Sequence, residues 1–344
     1  MAKNTALKIC DATIYPGETV SLALPLPELF TCAPVYMPIK VIHGKQSGPT
    51  LLVIAAMHGD EVNGTEIINR LLKLPSLKKL KGTLIAVPVL NVYGLLNRSR
   101  YLPNGHLLDR YFPGNKTGSH ASRLCYWFIQ EVFKHADVCI DLQTGSRNHS
   151  NFPQVYVNFD DQQSLDLAKT FNAPVITNVQ TEKGSLRQYA NKCKTPLLVY
   201  EAGEAMRFDE RAIKVGLKGI TSIMRSLKML DTPKLKPKRS FKAIRATQRV
   251  WVRASTSGIA LAKVALGEQV KKNQTLAVIS DPFGASDAEA VKAPDAGVIV
   301  SYNNLPLVHE GEAIFQLAMF KELDKAASQL EAWHEHHTDN EQTS

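Results

Sequence analysis

Two kinds of hydrophobic pattern alternate along the first 230 residues of the chain. Short and nearly continuous apolar runs, such as residues 50–56 and 83–90, are typical of strands buried on both faces of a sheet. Apolar side chains three and four positions apart, as at Ile67, Ile68 and Leu71, predict amphipathic helices between these runs. The pattern predicts strands at 37–43, 50–56, 83–90, 137–141, 174–177 and 197–201, and helices at 119–135, 162–171, 185–193 and 209–230.

Strands that alternate with helices indicate a three-layer α/β/α sandwich around a mixed, mostly parallel sheet. In such sheets the functional loops lie at the carboxyl ends of the strands. The pattern changes at Asp231, where a stretch rich in Pro and basic residues, about 231–245, is typical of a linker. Short strands with frequent Gly follow and predict a small all-β domain. We therefore expect an α/β domain over 1–245, a small all-β domain over 246–320 and a tail over 321–344, helical at first.

Composition restricts the setting in which the protein works. The longest uninterrupted apolar run, residues 51–57, is far shorter than the roughly 20 residues that a bilayer span needs. The five Cys residues show no CxxC spacing, which excludes a cysteine zinc cluster and favours reduced thiols in the cytoplasm. The net charge of +9 permits nucleic-acid binding without establishing it. The densest basic run, 234–239, lacks aromatic residues, so we interpret it as a solvated linker rather than a patch that steers anions, and we expect neither nucleic-acid nor membrane partners.

A His and a Glu three positions apart follow the predicted strand at 50–56, just before a helix. His58 and Glu61 are ordinary zinc ligands through nitrogen and oxygen, and their spacing lets both face one ion. The spacing alone fits equally well with two residues that cap the following helix. Other polar segments of the chain decide between these interpretations.

Three such segments follow or end predicted strands. Residues 97–114 form a loop rich in Arg, which includes Arg100 and Arg110 and suits carboxylate binding. A buried strand leads into the polar Gln143, and another apolar strand ends on Glu201. A carboxylate at the end of a buried strand is a candidate general base, although a surface residue at a strand end gives the same pattern.

The motif His-Gly-Asp-Glu-Val-Asn-Gly at 58–64 and the run Asp-Arg-Tyr-Phe-Pro-Gly at 109–114 resemble the succinylglutamate desuccinylase/aspartoacylase family. The resemblance extends from about residue 35 to 230. It implies a zinc carboxypeptidase-like fold and a zinc-dependent amide hydrolase that removes an acyl group from a small acylated amino acid. The C-terminal segment resembles biotinyl/lipoyl-type barrel-sandwich folds, and similar domains close the substrate cleft in members of the family.

This resemblance implies a role for individual residues. His58 and Glu61 match the first two zinc ligands, and Glu201 matches the catalytic carboxylate that activates water at the zinc. Arg100 and Arg110 match arginines that polarise the scissile carbonyl and hold the substrate carboxylate. For both arginines the alternative is a structural ion pair with a nearby acid.

Two positions depart from the family pattern. Gln143 stands where the third zinc ligand is usually His, and a carboxamide oxygen is a weaker zinc ligand than imidazole, thiolate or carboxylate. His149, six residues further along, is an alternative third ligand. Asp109 replaces the usual Asn before Arg110, so it adds negative charge beside the predicted carboxylate-binding arginine.

The sequence therefore leaves two classes of function open. The retained site residues favour a zinc-dependent hydrolase of amide, not peptide, bonds, acting on a small acylated amino acid or a similar compound. The alternative is a binding or regulatory protein whose metal site is weakened by Gln143. A carrier protein is disfavoured, because Lys292 precedes the turn in which a carrier presents its modified Lys. We interpret His334, His336 and His337 as a solvated tail, and the sequence leaves the acyl group and a homo-oligomer open.

Overall fold

The computed structural model of the protein describes residues 4–28, 33–232, 241–285 and 287–338, with side chains throughout except at 334–338. The basic run 234–239, most of the predicted linker, Cys32 and the imidazoles of the tail therefore lie outside the described residues. The four cysteines within those ranges carry free thiols, as the sequence predicts.

The described residues form strands and helices in the alternating order that the hydrophobic pattern predicts. The strands are β1 (Leu7–Ile9), β2 (Ala12–Ile14), β3 (Thr19–Pro25), β4 (Tyr36–His43), β5 (Gln46–Ala55), β6 (Lys81–Val87), β7 (Val138–Gly145), β8 (His149–Val157), β9 (Val175–Asn178), β10 (Leu197–Glu204), β11 (Ile244–Ala246), β12 (Gln248–Arg253), β13 (Gly258–Ala262), β14 (Gln269–Val270), β15 (Thr275–Ser280), β16 (Glu289–Lys292), β17 (Gly297–Asn303), β18 (Leu307–Val308) and β19 (Ala313–Met319). The α-helices are α1 (Asn63–Leu72), α2 (Val92–Leu96), α3 (His120–Glu131), α4 (Gln162–Phe171), α5 (Leu186–Cys193), α6 (Glu210–Ser226) and α7 (Leu323–Thr338). None of these helices is both long and apolar enough to cross a bilayer.

A sheet of 13 strands forms the middle layer of the described structure. Strands β6, β5, β7 and β10 lie side by side in that order and run parallel. The antiparallel strands β4 and β3 extend the sheet beyond β6, and the antiparallel β8 extends it beyond β10. The sheet is therefore mixed, and the carboxyl ends of β5, β7 and β10 meet along one edge, where functional loops of such sheets lie.

Alternate side chains of β5 enter two separate cores, one on each face of the sheet. Leu51 and Val53 pack in a core that includes residues of α1, α4 and α6. Leu52 and Ile54 pack in a second core that includes residues of α3 and α5. Because successive side chains of a strand point to opposite faces, both faces of the sheet are covered by helices. The arrangement confirms the predicted α/β/α sandwich.

Strand β8 and helix α2 are among the elements that the hydrophobic pattern does not predict. Strand β8 follows β7 through a short turn in which Asn148 has a φ of +65°, so no helix separates the two strands. Its inner residues are buried on both faces, so the strand lacks the polar and apolar alternation of a half-buried strand. Pro153, in its interior, also disfavours a strand assignment.

The C-terminal strands are divided between two sheets. Strands β16, β15, β13 and β18 form a separate antiparallel sheet, which confirms the predicted all-β character of this segment. Strands β17, β19 and β12 instead extend the main sheet, because β17 pairs with β8 and places Ser301 opposite Asn151. Strand β11, inside the predicted linker, pairs with β9. The C-terminal strands are therefore joined to the sheet beside β8, while the division into domains stays a prediction.

Gly203 shapes the end of β10 and gives a test of the local packing. Its φ is +73°, and an added Cβ would lie 2.5 Å from Asn63 Nδ2. Asn63 is buried, and its Oδ1 accepts a hydrogen bond from the Asp209 amide at 2.9 Å. We expect G203A to lower the free energy of unfolding by about 2–4 kcal/mol, because it adds backbone strain to the loss of a buried hydrogen bond.

The matched control is G105A. Gly105 has a φ of +77°, but no atom lies within 4 Å of the position that its Cβ would take. We expect this variant to lose only about 1–2 kcal/mol, the cost of the left-handed backbone. Urea denaturation measures the free energy of unfolding of both variants. Equal losses would show that the contact of the added Cβ with Asn63 contributes nothing to the loss in G203A.

Candidate functional site

His58 and Glu61 lie in the loop between β5 and α1, at the carboxyl end of the strand. Their side chains are almost fully buried, and His58 Nδ1 lies 2.8 Å from Glu61 Oε1. Ala56, just before them, has a φ of +50°, in the left-handed region that residues other than glycine adopt uncommonly. Gly59 packs on α2, where an added Cβ would lie 2.1 Å from the Gly94 backbone. The backbone thus holds the two predicted zinc ligands against each other.

Charged groups contact both ring nitrogens of His58. Burial opposes protonation of the imidazole, but the Glu61 carboxylate outweighs this effect with help from Asp109, and the pKa of His58 rises to about 9. Asp109 Oδ2 lies 3.6 Å from Nε2, the ring nitrogen that does not face Glu61. Arg100 Nη1 donates a hydrogen bond to Glu61 Oε1 at 3.0 Å. Glu61 therefore bonds Nδ1, while the Asp109 carboxylate faces Nε2 at a distance longer than a hydrogen bond. A carboxylate beside the ring nitrogen that does not bind the metal is typical of metal-binding His residues.

Gln143 is brought to the same edge of the sheet by β7, which pairs with β5 on one side and β10 on the other. Its Nε2 donates a hydrogen bond to Asp141 Oδ2 at 2.7 Å. The amide oxygen of Gln143 is therefore the atom left to bind a ligand. Burial is the main cause that raises the pKa of Asp141 to about 7, against the hydrogen bond from Gln143.

Glu201 lies opposite Gln143 in the register of β10 and β7. Asn151 of β8 donates its side-chain amide to Glu201 Oε1. Burial, followed by the negative charge of Glu61, raises the pKa of Glu201 to about 7, although three nearby arginines act in the opposite direction. A carboxyl group whose pKa lies near neutrality is suited to accept a proton and to return it.

Arg110 is placed differently from Arg100. Arg110 donates a hydrogen bond to Glu182, and its Nε lies 3.9 Å from Asp109 Oδ1. Its side chain is 51% exposed. Arg110 is not among the described residues that line the cavity at this edge of the sheet, which is described below. The structure thus gives Arg110 the ion pairs that the sequence left as the alternative to substrate binding. Arg100 is also paired, with Glu61, but it lines the cavity.

A polar cavity of about 720 Å³ opens at this edge of the sheet. Its walls include Glu61, Gln143 and Glu201, so it brings two of the predicted zinc ligands together with the predicted catalytic carboxylate. Its volume lies within the roughly 300–1,000 Å³ typical of small-molecule sites. The walls also contain residues that the sequence reasoning missed, namely Asn151, Tyr156, Arg187, Arg249, Trp251 and Gln316.

Weak signals for some of these missed residues exist in the sequence. Arg187 is the second residue of α5. A cation in the first turn of a helix is disfavoured by the helix dipole, so its presence there suggests a functional role. Arg249 and Trp251 alternate along β12, so they share one face of that strand. Nothing local in the sequence indicates that this face meets the cavity. His149, the alternative third ligand, lies in the cavity wall with its Nδ1 3.4 Å from the Arg147 carbonyl oxygen.

The side chains at the site fit a zinc ion in part. Glu61 Oε2 is buried and has no hydrogen-bond partner among the described residues, which leaves it free to bind a metal. Imidazole and carboxylate are both good zinc ligands. Within the described ranges no three His, Cys, Asp or Glu side chains gather into a complete ligand set, because the third position is Gln143. The predicted donor set would therefore consist of two strong ligands, His58 and Glu61, and one weak one.

Comparison with known proteins gives a consistent picture. Residues 47–227, more than half of the chain, match the model of the succinylglutamate desuccinylase/aspartoacylase catalytic domain. The N-alpha-acetyl-L-2,4-diaminobutyric acid deacetylase of Halomonas elongata is 26% identical over 303 residues, which cover 83% of this chain and 86% of the deacetylase.

Solved structures show the same fold at lower sequence identity. A succinylglutamate desuccinylase/aspartoacylase from Rhodobacter sphaeroides superposes with a TM-score of 0.78 at 19% identity, over 88% of this chain and 96% of that one. The product-bound ectoine utilization protein EutE (DoeB) from Ruegeria pomeroyi superposes with a TM-score of 0.77 at 22% identity, over 88% of this chain and 95% of that one. At these identities the superpositions establish the fold alone.

Proposed function

The chain belongs to the succinylglutamate desuccinylase/aspartoacylase family, and we propose that it is a zinc-dependent amide hydrolase that deacylates a small N-acyl amino acid or a similar compound. The observation that carries this proposal is the meeting of Glu61, Gln143 and Glu201 in the wall of one cavity, with His58 directly behind Glu61. The similarity to an acetyl-amino-acid deacetylase over most of both chains supports this class of substrate.

Zinc is the cofactor that we propose, held by His58 and Glu61 with the amide oxygen of Gln143 as the third ligand. When bound there, it would supply Lewis-acid chemistry and lower the pKa of water toward ~7. Asp109 would orient the His58 ring from Nε2, so that Nδ1 faces the ion. A carboxylate in this position also makes the imidazole a better ligand and offsets part of the weakness of Gln143.

Glu201 and Arg100 carry the chemical steps in this proposal. Glu201 takes a proton from the attacking water and passes it to the nitrogen of the leaving amine, which the Asn151 hydrogen bond positions it to do. Arg100 lines the cavity beside Glu61 and donates to the oxygen that becomes negative in the tetrahedral intermediate. The water oxygen ends in the carboxylate product, and the amine leaves with the proton.

The binding or regulatory protein remains the second candidate because of one observation, the amide at position 143. A screen of N-acyl amino acids, in which amine release is measured with zinc-loaded protein, separates the two candidates. Turnover of any of these compounds supports the hydrolase. Binding of such compounds without amine release supports the second candidate.

The variant Q143H tests how the metal site is built. An imidazole in place of the amide should complete a ligand set of two His and one Glu, so we expect zinc to bind at least about tenfold more tightly, or about 1.4 kcal/mol. Competition with a chromogenic chelator measures the affinity. Q180H is the matched control, because Gln180 also lines the cavity but belongs to another segment. Unchanged affinity in Q143H would move the third ligand elsewhere, with H149A as the next variant.

A further inference from the structure

Two arginines in the cavity wall have no acidic partner, whereas each acid in that wall is engaged. Arg100 bonds Glu61, Arg110 pairs with Glu182, and the amide of Asn151 bonds Glu201. Glu61, Glu182 and Glu201 are the acids among the described residues that line the cavity. In contrast, Arg187 and Arg249 form no ion pair with any carboxylate in the part of the chain that the structure describes. Among the described residues the wall holds three Arg and three Glu in all, and Arg187 and Arg249 are the two arginines there that form no ion pair.

Arg249 is held in place by neutral groups. Its Nη1 donates to the Tyr156 hydroxyl at 2.9 Å and lies 3.3 Å from Gln316 Oε1, and its guanidinium lies 4.7 Å from the centroid of the Tyr156 ring. Tyr156 is 5% exposed and Gln316 is 7% exposed, so both partners of the guanidinium are buried. Both hydrogen bonds use one nitrogen, so Nε and Nη2 remain available for a bidentate contact with a carboxylate.

The position of this guanidinium suits a small substrate. Tyr156 lies on β8 opposite Val199, two residues before Glu201 on β10, so Tyr156 and Glu201 are diagonal neighbours in the sheet. Such neighbours are separated by roughly 7–8 Å. Both Arg249 and Arg187 lie close enough to lower the pKa of the Glu201 carboxyl. A compound whose amide lies at Glu201 can therefore reach the arginines with a group only a few bonds away.

We propose that Arg249, supported by Arg187, forms a carboxylate-binding subsite that the C-terminal strands contribute to the cavity. This inference rests on the proposed function, since it concerns the substrate of that hydrolase, and it gives Arg249 the role that the sequence assigned to Arg110. The substrate carries a free carboxylate, either on the amino-acid part or at the far end of a dicarboxylic acyl group. Tyr156 and Gln316 position the guanidinium.

Non-cleavable ketone analogues test the subsite separately from turnover. Levulinate is N-acetylglycine with CH₂ in place of NH, so it keeps the carboxylate a few bonds from a carbonyl that cannot be hydrolysed. γ-Oxoheptanoate has the same 4-oxo acid skeleton with propyl in place of methyl, so the two acids present the carboxylate beside ketone substituents of two sizes. Each acid and its primary carboxamide is titrated into the zinc-loaded full-length protein, and ligand-observed NMR gives the Kd.

We expect one acid to bind the unmodified protein at least about tenfold more tightly than its carboxamide, as a charge-assisted contact predicts. R249Q should remove the preference, and R249K should retain part of it. R253Q is the matched control, because Arg253 lies on the same strand, is exposed and donates to the Gly311 carbonyl.

Several results would overturn the subsite. Equal affinity for acid and carboxamide in the unmodified protein, including no measurable binding of either, would do so. A preference that persists in R249Q and disappears in R110Q would return the role to Arg110. If R249Q melts well below R253Q, the variant R249K decides instead. An undiminished preference in R249K, at an unchanged melting temperature, would show that the planar guanidinium of Arg249 does not make the contact. A clear preference in a protein that hydrolyses no N-acyl amino acid supports the subsite and contradicts the proposed function.

Discussion

Replacement of Glu201 by Gln is expected to lower kcat by about 10²–10⁴-fold, the range typical of a lost general acid or base. Gln has nearly the same shape but cannot accept the proton of the attacking water. Its side chain can still meet Asn151 and occupy the cavity wall, so the fold should persist. The zinc content should stay the same, because Glu201 is not a ligand in this account. Amine release from an N-acyl amino acid and elemental analysis of the same samples measure the two quantities.

Glu204 provides the matched control for this experiment. It lies on the same strand, but its carboxylate accepts hydrogen bonds from the Asn148 amide at 2.9 Å and from Asn304 Nδ2 at 2.7 Å. These contacts join β8 and β10 to the loop after β17, so E204Q should affect stability more than turnover. If E201Q keeps most of its activity, Glu201 is not the base, and a large loss in E204Q would transfer the role to Glu204.

The fold could be predicted from the sequence where its determinants are local. The buried runs that become β5, β7 and β10 are continuous in the chain, and helices such as α4 and α5 lie where the pattern predicts them. The same local signals place His58, Glu61 and Glu201 at strand ends. The parallel pairing of these strands then brings the three residues together, as the general rule for such sheets requires.

The far wall of the cavity could not be predicted, because it depends on pairings between distant segments. Strand β17 joins β8 across about half of the chain, with Tyr302 opposite Ser150, and no local pattern encodes that contact. Arg249 enters the site only through this arrangement. The ion pair between Arg110 and Glu182 is equally non-local, since the two residues lie 72 positions apart. The sequence motif around Arg110 therefore predicted substrate binding for a side chain that instead pairs with a residue distant in the sequence.

Removal of the metal should have the largest effect on activity. Without zinc the water at the site keeps a pKa far above neutrality, and no Lewis acid polarises the amide, so we expect hydrolysis to fall by about 10³-fold or more. His58 and Glu61 would remain buried against each other, and Arg100 would still neutralise part of the negative charge of Glu61. We therefore expect the chelated protein to stay folded, as circular dichroism can verify, and to recover activity when zinc is returned.

The measurement that tests the central claim most directly is a zinc titration of the chelated protein, with amine release from N-acetyl-L-2,4-diaminobutyrate and a panel of other N-acyl amino acids recorded at each step. A zinc-dependent hydrolase predicts activity that rises in proportion to bound zinc and reaches its plateau at about one ion per chain. Full activity in the chelated protein would contradict the zinc requirement. Saturation of the site with zinc, without amine release from any of these compounds, would contradict the hydrolase and favour a binding protein on the same scaffold.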